Sequence, residues 1–225
     1  MSKLFRLALT IFLFSTITAL AQNAQTAEQV YPNIEILKGV PAERVPRIMA
    51  VFDRMLGVEC THCHVEGAMD KADKPTFTKA RRMFQMRNWI AQNSKIESSC
   101  WMCHRGHATP EAGPPSNPDL WPAELNLPAD QAALPAAKVY KNLKFLNSTA
   151  GDLRSSMLFI SASLGVNCSH CHVVGSWDKD EKPAKETARK MLAMVRDVRG
   201  EYSDIRVGCP TCHHVATKPE MSPPA

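Results

Sequence analysis

The sequence predicts a mainly α-helical chain with extensive irregular loops, written as two tandem, pseudo-symmetric halves. Three observations carry this prediction. Apolar residues recur at helical spacing in four segments, blocks of residues return after 108 or 109 positions, and the signature Cys-x-x-Cys-His occurs four times, twice in each half. No strand-period segment stands out against them.

At the N-terminus, Lys3 and Arg6 precede an apolar run from Leu7 to Leu20, and Ala19-Leu20-Ala21 supplies the small-residue cleavage pattern. Residues 1–21 therefore read as a signal peptide, with a mature chain beginning at Gln22. The run is short for a membrane span and contains Ser15, Thr16 and Thr18. No cysteine lies near the cleavage site, so no lipid anchor is expected there. Residues 22–30 are polar and expected to be loosely ordered.

The first half covers 31–107. Val45, Ile48, Met49, Phe52, Met55 and Leu56 fall at i, i+3, i+4 and i+7 spacings, with Pro46 near the start and Gly57 as a stop, which predicts one helix. A second is predicted from Thr76 to Gln92. Residues 108–139 form a connector with Pro110, Pro114, Pro115, Pro118, Pro122, Pro128 and Pro135, too dense in proline for a long helix. Leu120, Trp121, Leu125 and Leu127 are too apolar for a free linker, so it is expected to lie over its neighbours. The second half covers 140–216, with helices from Gly151 to Leu164, ended by Gly165, and from Ala184 to Arg199, closed by Gly200. The tail, 217–225, is proline-rich and expected to fray.

The duplication is explicit. Tyr31-x-Asn33-Ile34-x-Ile36-Leu37 returns as Tyr140-x-Asn142-Leu143-x-Phe145-Leu146, and Leu56-Gly57-Val58-x-Cys60 as Leu164-Gly165-Val166-x-Cys168. Lys74-Pro75 is matched by Lys182-Pro183, and Ala80-Arg81-x-Met83 by Ala188-Arg189-x-Met191.

The four signatures use all eight cysteines: Cys60 and Cys63 before His64, Cys100 and Cys103 before His104, Cys168 and Cys171 before His172, Cys209 and Cys212 before His213. Cys-x-x-Cys-His is the attachment pattern of c-type haem. On a helical turn, thiols at i and i+3 form thioethers with the two vinyl groups of one porphyrin, and the imidazole at i+4 meets the iron. With Cys and His each at 8 of 225 residues, about 0.01 accidental matches are expected. Zinc sites and disulfide frameworks also use spaced cysteines, but neither needs a histidine after the second cysteine on every occasion. Four covalently bound haem c groups follow, two in each half.

Each iron has a second axial position. His62, His107, His170 and His214 lie too close to their own motifs to reach the far face of the same haem, and surface or propionate contacts are their simplest roles. The repeat selects methionines instead. Met49 and Met157 each lie 11 residues before the first cysteine of a motif, and Met83 and Met191 each lie 23 after it. Met55 aligns with Ser163, whereas Met86 and Met194 keep register as substitutes. Core filling is the competing role for such residues. Thioether ligation raises the potential relative to bis-histidine haem.

The formal charge of +5 does not point to nucleic acid. Losing Lys3 and Arg6 leaves +3, and eight propionates bring the sum to about −5. Cleavage at residue 21 would leave 204 of 225 residues, or 51 per haem. So little protein cannot enclose four porphyrins in separate cores, and the haems themselves must supply buried apolar surface.

These features resemble the tetrahaem cytochrome c subunit of photosynthetic reaction centres. The likeness rests on the doubled order of helix, LGVxCxxCH, ARxM helix and CxxCH, with Cys103-His104-Arg105-Gly106 before Pro110, and extends from about Tyr31 to Pro219. The resemblance implies two pseudo-symmetric halves with haem planes along helices, and distal methionines matching Met49, Met83 and Met157. It also implies a histidine for the fourth iron from the segment before the second motif. Here Asn93 to Ser99 contains none, so the repeat leaves Met191. The lipidated cysteine and longer insertions common in that family are also absent.

The expected role is one-electron transfer to and from other redox proteins, periplasmic or extracellular, with a membrane complex as one setting. No small-molecule substrate and no enzymatic reaction are expected, since four filled irons leave no open position. A subunit of an extracellular haem filament and a multihaem reductase are the alternatives from other classes.

Overall fold

The computed structural model describes residues 25–224, so the expected signal peptide lies outside the described residues. The described chain is mainly helical. Four long helices dominate: α1, Val45–Leu56; α2, Pro75–Ser94; α3, Ala150–Leu164; and α4, Pro183–Glu201. Among the described residues, no helix is long and apolar enough to cross a membrane.

The ends of these helices follow local chemistry. The Thr149 hydroxyl accepts from the Asp152 N–H at 3.1 Å and so caps α3. At the other end Gly165 adopts the left-handed conformation at φ +65, which glycine enters without steric cost. Gly57 does the same after α1, at φ +61.

Two expectations are corrected. Gly200 does not close α4. The helix runs to Glu201 and ends where the Tyr202 N–H bonds the Val198 carbonyl at 2.7 Å, held there by burial of both residues. Of the segment expected to be loose, 22–30, the described part, 25–30, contains a helical turn, Ala27–Val30. Ala27 is fully buried, and its N–H donates to the Val40 carbonyl at 2.7 Å.

The chain packs as two compact units, one of residues up to 53 with 59–82, the other of 54–58 with 83 onward. This division cuts across the sequence repeat, and its cause is the core of the second unit. Ile90 of α2 is buried with Val198 of α4 and with Tyr202, Ile205 and Val207, and Met83, Met86, Trp89, Ile96 and Met194 pack against them. The Trp89 and Tyr202 rings meet edge to face at 6.1 Å. The C-terminal part of α2 therefore belongs with α4 rather than with the rest of its own half.

Within the units, the same local bonds recur at the repeat offset. The Tyr31 N–H donates to the Ala27 carbonyl at 2.8 Å, and Tyr140 does so to Ala136 at 2.8 Å. Asn33 Nδ2 donates to the Asp70 carbonyl at 2.6 Å, and Asn142 Nδ2 to that of Asp178 at 2.5 Å. Arg81 donates to the Asn33 carbonyl, and Arg189 to the Asn142 carbonyl.

In the second unit the connector keeps to short turns, Pro118–Leu120, Ala123–Leu125 and Ala129–Ala132. Gly113 packs so tightly on the Pro210 ring that a side chain would collide with it. The Leu120 carbonyl lies 3.4 Å from Cys168 Sγ. The connector thus rests on the third and fourth motifs. The tail is irregular, with Glu220 on Arg105 at 2.9 Å.

Glycine is required where a motif returns to its helix. A Cβ at Gly57 would strike the Gly106 carbonyl, and one at Gly165 would lie 2.5 Å from the Val215 carbonyl oxygen. Gly57→Ala and Gly165→Ala should each cost at least about 1–3 kcal/mol in denaturant unfolding of the haem-loaded protein. Gly200→Ala, inside α4 where a Cβ would meet nothing within 4 Å, should instead gain about 0.5–1 kcal/mol. Equal midpoints for all three would refute the assignment.

Candidate haem sites

Each motif is a short helical turn entered from extended backbone: Cys60–Cys63, Cys100–His104, the 3-10 turn Cys168–His170, and Cys209–His213. The turns are held from outside. Lys74 Nζ donates to the Thr61 carbonyl and Lys182 Nζ to the Ser169 carbonyl. The Ser99 hydroxyl accepts from the Met102 N–H at 3.0 Å, and the Gly208 N–H donates to the Thr211 hydroxyl at 3.0 Å.

The four motif histidines share one arrangement. His64 Nδ1 lies 2.5 Å from the Met69 carbonyl, His104 Nδ1 2.9 Å from that of His107, His172 Nδ1 2.9 Å from that of Trp177, and His213 Nδ1 2.8 Å from that of Ala216. A carbonyl only accepts, so Nδ1 carries the proton and Nε2 presents its lone pair. That is the tautomer an iron-ligating imidazole needs. The acceptor lies five residues on in the first and third motifs, in loops turned by Gly67 at φ +73 and Gly175 at φ +76. It lies three residues on in the second and fourth, after left-handed Arg105 at φ +50 and His214 at φ +46.

The second and fourth turns pack on one another, and Cys103 Sγ lies 2.7 Å from Cys212 Sγ. The Gly106 N–H donates to the Met55 carbonyl at the end of α1, and the Val215 N–H to the Ser163 carbonyl of α3, both at 3.0 Å. None of the eight cysteines is in a disulfide. Among the described residues, no group of three or more His, Cys, Asp or Glu side chains converges as a metal site.

Six of these thiols have raised pKa values. Burial raises the thiol pKa at Cys63, Cys100, Cys171 and Cys209, and Arg87 opposes it at Cys100. The Asp53 carboxylate, 3.4 Å away, raises that of Cys60. Cys103 is pushed far up by the neighbouring Cys212 sulfur and by burial. Burial lowers the pKa of His172, keeping that ring neutral, although the Trp177 carbonyl opposes the shift.

The donor set fits haem. Besides four tautomer-fixed imidazoles, several buried polar atoms have no partner in the protein: the indole nitrogens of Trp101, Trp121 and Trp177, the Tyr140 hydroxyl, Arg105 Nε and His214 Nε2. Buried donors of this kind are costly unless something accepts from them, and haem propionates are acceptors.

Met49, Met83, Met157 and Met191 are all half-buried, sealed neither in the core nor out in solvent. Met83 packs on the Ile90–Val198 core, and so do the repeat partners Met86 and Met194, for which core filling is a sufficient account. Met191 is not in that group. His107 points outward onto Glu111 at 3.3 Å. The carbonyls of Met69, His107, Trp177 and Ala216 were missed by sequence reasoning, because a backbone acceptor leaves no residue signature.

Comparison with known proteins gives one answer. The model of a family described as photosynthetic reaction centre cytochrome C subunit matches residues 10–119 and 124–222. The chain is 27% identical over 247 aligned residues to the photosynthetic reaction center cytochrome c subunit of Thermochromatium tepidum, covering 86% of this chain and 61% of that protein. It is 25% identical to the protein of the same name from Rubrivivax gelatinosus, covering 90% and 70%. A shorter match, 40% identical over 65 residues, relates 26% of this chain to 16% of cytochrome c-554 of Chloroflexus aurantiacus. The chain thus spans about three-fifths of the length of the T. tepidum relative.

The histidine anchors predict a contrast. Met69→Leu, at an exposed side chain, keeps the carbonyl that holds His64 Nδ1 and should leave the potentials of the irons nearly unchanged. One glycine inserted after Gly175 moves the acceptor off His172 Nδ1, weakens donation by that imidazole and should raise one potential. Spectroelectrochemical titration checks both, and an insertion without effect would sink the argument.

Proposed function

Because the chain belongs to the photosynthetic reaction centre cytochrome c subunit family, and so carries covalent haem c for electron transfer, we propose that it holds four haems and relays single electrons among them. The single observation that carries this reading is the fourfold repetition of one geometry, a Cys-x-x-Cys-His turn whose histidine has Nδ1 committed to a carbonyl of its own loop.

When bound, haem iron supplies a one-electron couple. The residues supply everything else. Cys60 and Cys63, Cys100 and Cys103, Cys168 and Cys171, and Cys209 and Cys212 provide the thioether sulfurs, and His64, His104, His172 and His213 the proximal nitrogens. Met49, Met83, Met157 and Met191 close the distal positions. Their half-burial supports this, although Met83 also packs against the Ile90–Val198 core. The contact of Cys103 with Cys212 supports a second and a fourth haem held near one another, which would join the two dihaem halves into one path.

With a methionine at each distal position no iron would be open to substrate, and the reactions would be electron exchanges with other redox proteins outside the cytoplasm. The relatives' name makes a photosynthetic reaction centre one such partner, and a membrane complex the setting. An enzyme would need one iron open.

Three measurements test the reading on the purified, haem-loaded protein. A pyridine haemochrome assay against protein mass should give four haems. The near-infrared magnetic circular dichroism spectrum of the oxidised form should show methionine-to-iron charge transfer, falling by about a quarter in Met157→Leu. Ferrous protein should bind carbon monoxide slowly in the wild type and rapidly at one haem in that variant. Rapid binding by the wild type would favour a reductase, and a bis-histidine spectrum would overturn the methionine assignments.

A further inference from the structure

Around the third motif the second unit leaves a group of donors without an acceptor. Tyr140 opens the second half, and its hydroxyl is buried with no partner. Trp121, from the connector, buries an indole N–H that also has none. Arg154 of α3 stands beside the Trp121 indole. Its guanidinium lies over the Trp121 ring at 5.8 Å, and its charge lowers the pKa of the Tyr140 phenol, against the larger upward effect of burial. None of the ion pairs among the described residues involves Arg154, and the nearest carboxylate in sequence, Asp152, is taken by the Thr149 hydroxyl at 2.8 Å. Two buried donors, with the exposed cation Arg154 acting on each, suit an anion with two oxygens.

The geometry points to a carboxylate site, formed by Tyr140, Trp121 and Arg154, that receives a propionate of the third haem. This rests on the tetrahaem reading above. Arg154 lies three residues before Met157, one helical turn along the same face of α3. Cys168 follows the opposite end of that helix. In a haem c group the thioethers occupy one edge of the porphyrin and the propionates the other, so α3 crosses from the propionate edge to the thioether edge. The Leu120 carbonyl, 3.4 Å from Cys168 Sγ, keeps the connector at this haem, and the next residue is Trp121.

The site belongs to one half only. Tyr31 keeps the tyrosine in the first half, but Pro46 stands where the repeat places Arg154, and no residue of the first half corresponds to the connector indole. One potential of four should therefore carry its effect. A cation beside the porphyrin edge favours ferrous iron, and pairing an ionised propionate removes a charge that favours ferric iron.

The test compares wild type, Arg154→Gln, Arg154→Lys and the nearly isosteric Tyr140→Phe, all haem-loaded. Haem propionate carboxylates are labelled with carbon-13, and redox-difference infrared spectra are recorded beside potentiometric titration. Arg154→Gln should lower one potential and leave three unchanged, and should shift one labelled carboxylate band. Tyr140→Phe should shift the same band by a smaller amount, and Arg154→Lys should restore the potential. Four unchanged potentials and unmoved labelled bands in a four-haem protein would overturn the site alone. An effect that appears only with added acetate would assign the donors to a free carboxylate and overturn it equally. Wild-type protein without haem on the Cys168–Cys171 peptide would refute the tetrahaem reading first.

Discussion

The packing of the second Cys-x-x-Cys-His turn on the fourth, with Cys103 and Cys212 in sulfur contact, is the constraint on which the second unit depends. Both turns are reached from the ends of long helices, so α2 and α4 must converge. Their convergence is what Ile90, Val198, Tyr202, Ile205 and Val207 bury. The chain leaving each turn passes close to the end of another helix, where Gly57 and Gly165 give way to backbone carbonyls. A side chain at either position pushes the motif away from the helix that precedes its partner motif.

This arrangement explains why the compact units do not coincide with the sequence halves. The repeat records how the chain is written, and its bonds stay within one half: Asn33 with Arg81, Asn142 with Arg189. The core forms between equivalent helices of different halves, so it draws the end of α2 away from the beginning. Periodicity reads the first kind of relation and is blind to the second.

Much of the molecule was legible in its residues. The four motifs needed only local spacing, and α1 and α3 needed only apolar period with proline or glycine punctuation. Gly200 misled because glycine marks a helix end only when a positive φ is required, and here burial of Tyr202 carried the helix on. The turn at Ala27 escaped notice because its stability comes from Val40, a partner thirteen residues away, rather than from its own composition. The methionines were legible as a repeated offset, and Met83, Met86 and Met194 pack against the core of the second unit.

The acceptors for the four motif histidines have a different consequence. Each is a main-chain carbonyl, contributed by methionine, histidine, tryptophan and alanine in turn. No selection on side-chain identity is needed to maintain them, and no exchange of one amino acid for another deletes one. What must be inherited is spacing, five residues in one pair of motifs and three in the other. Lineages of this fold are therefore free to diverge in composition around each haem while the basicity of its ligand stays fixed. A gain or loss of a single residue in these loops is the change they cannot absorb.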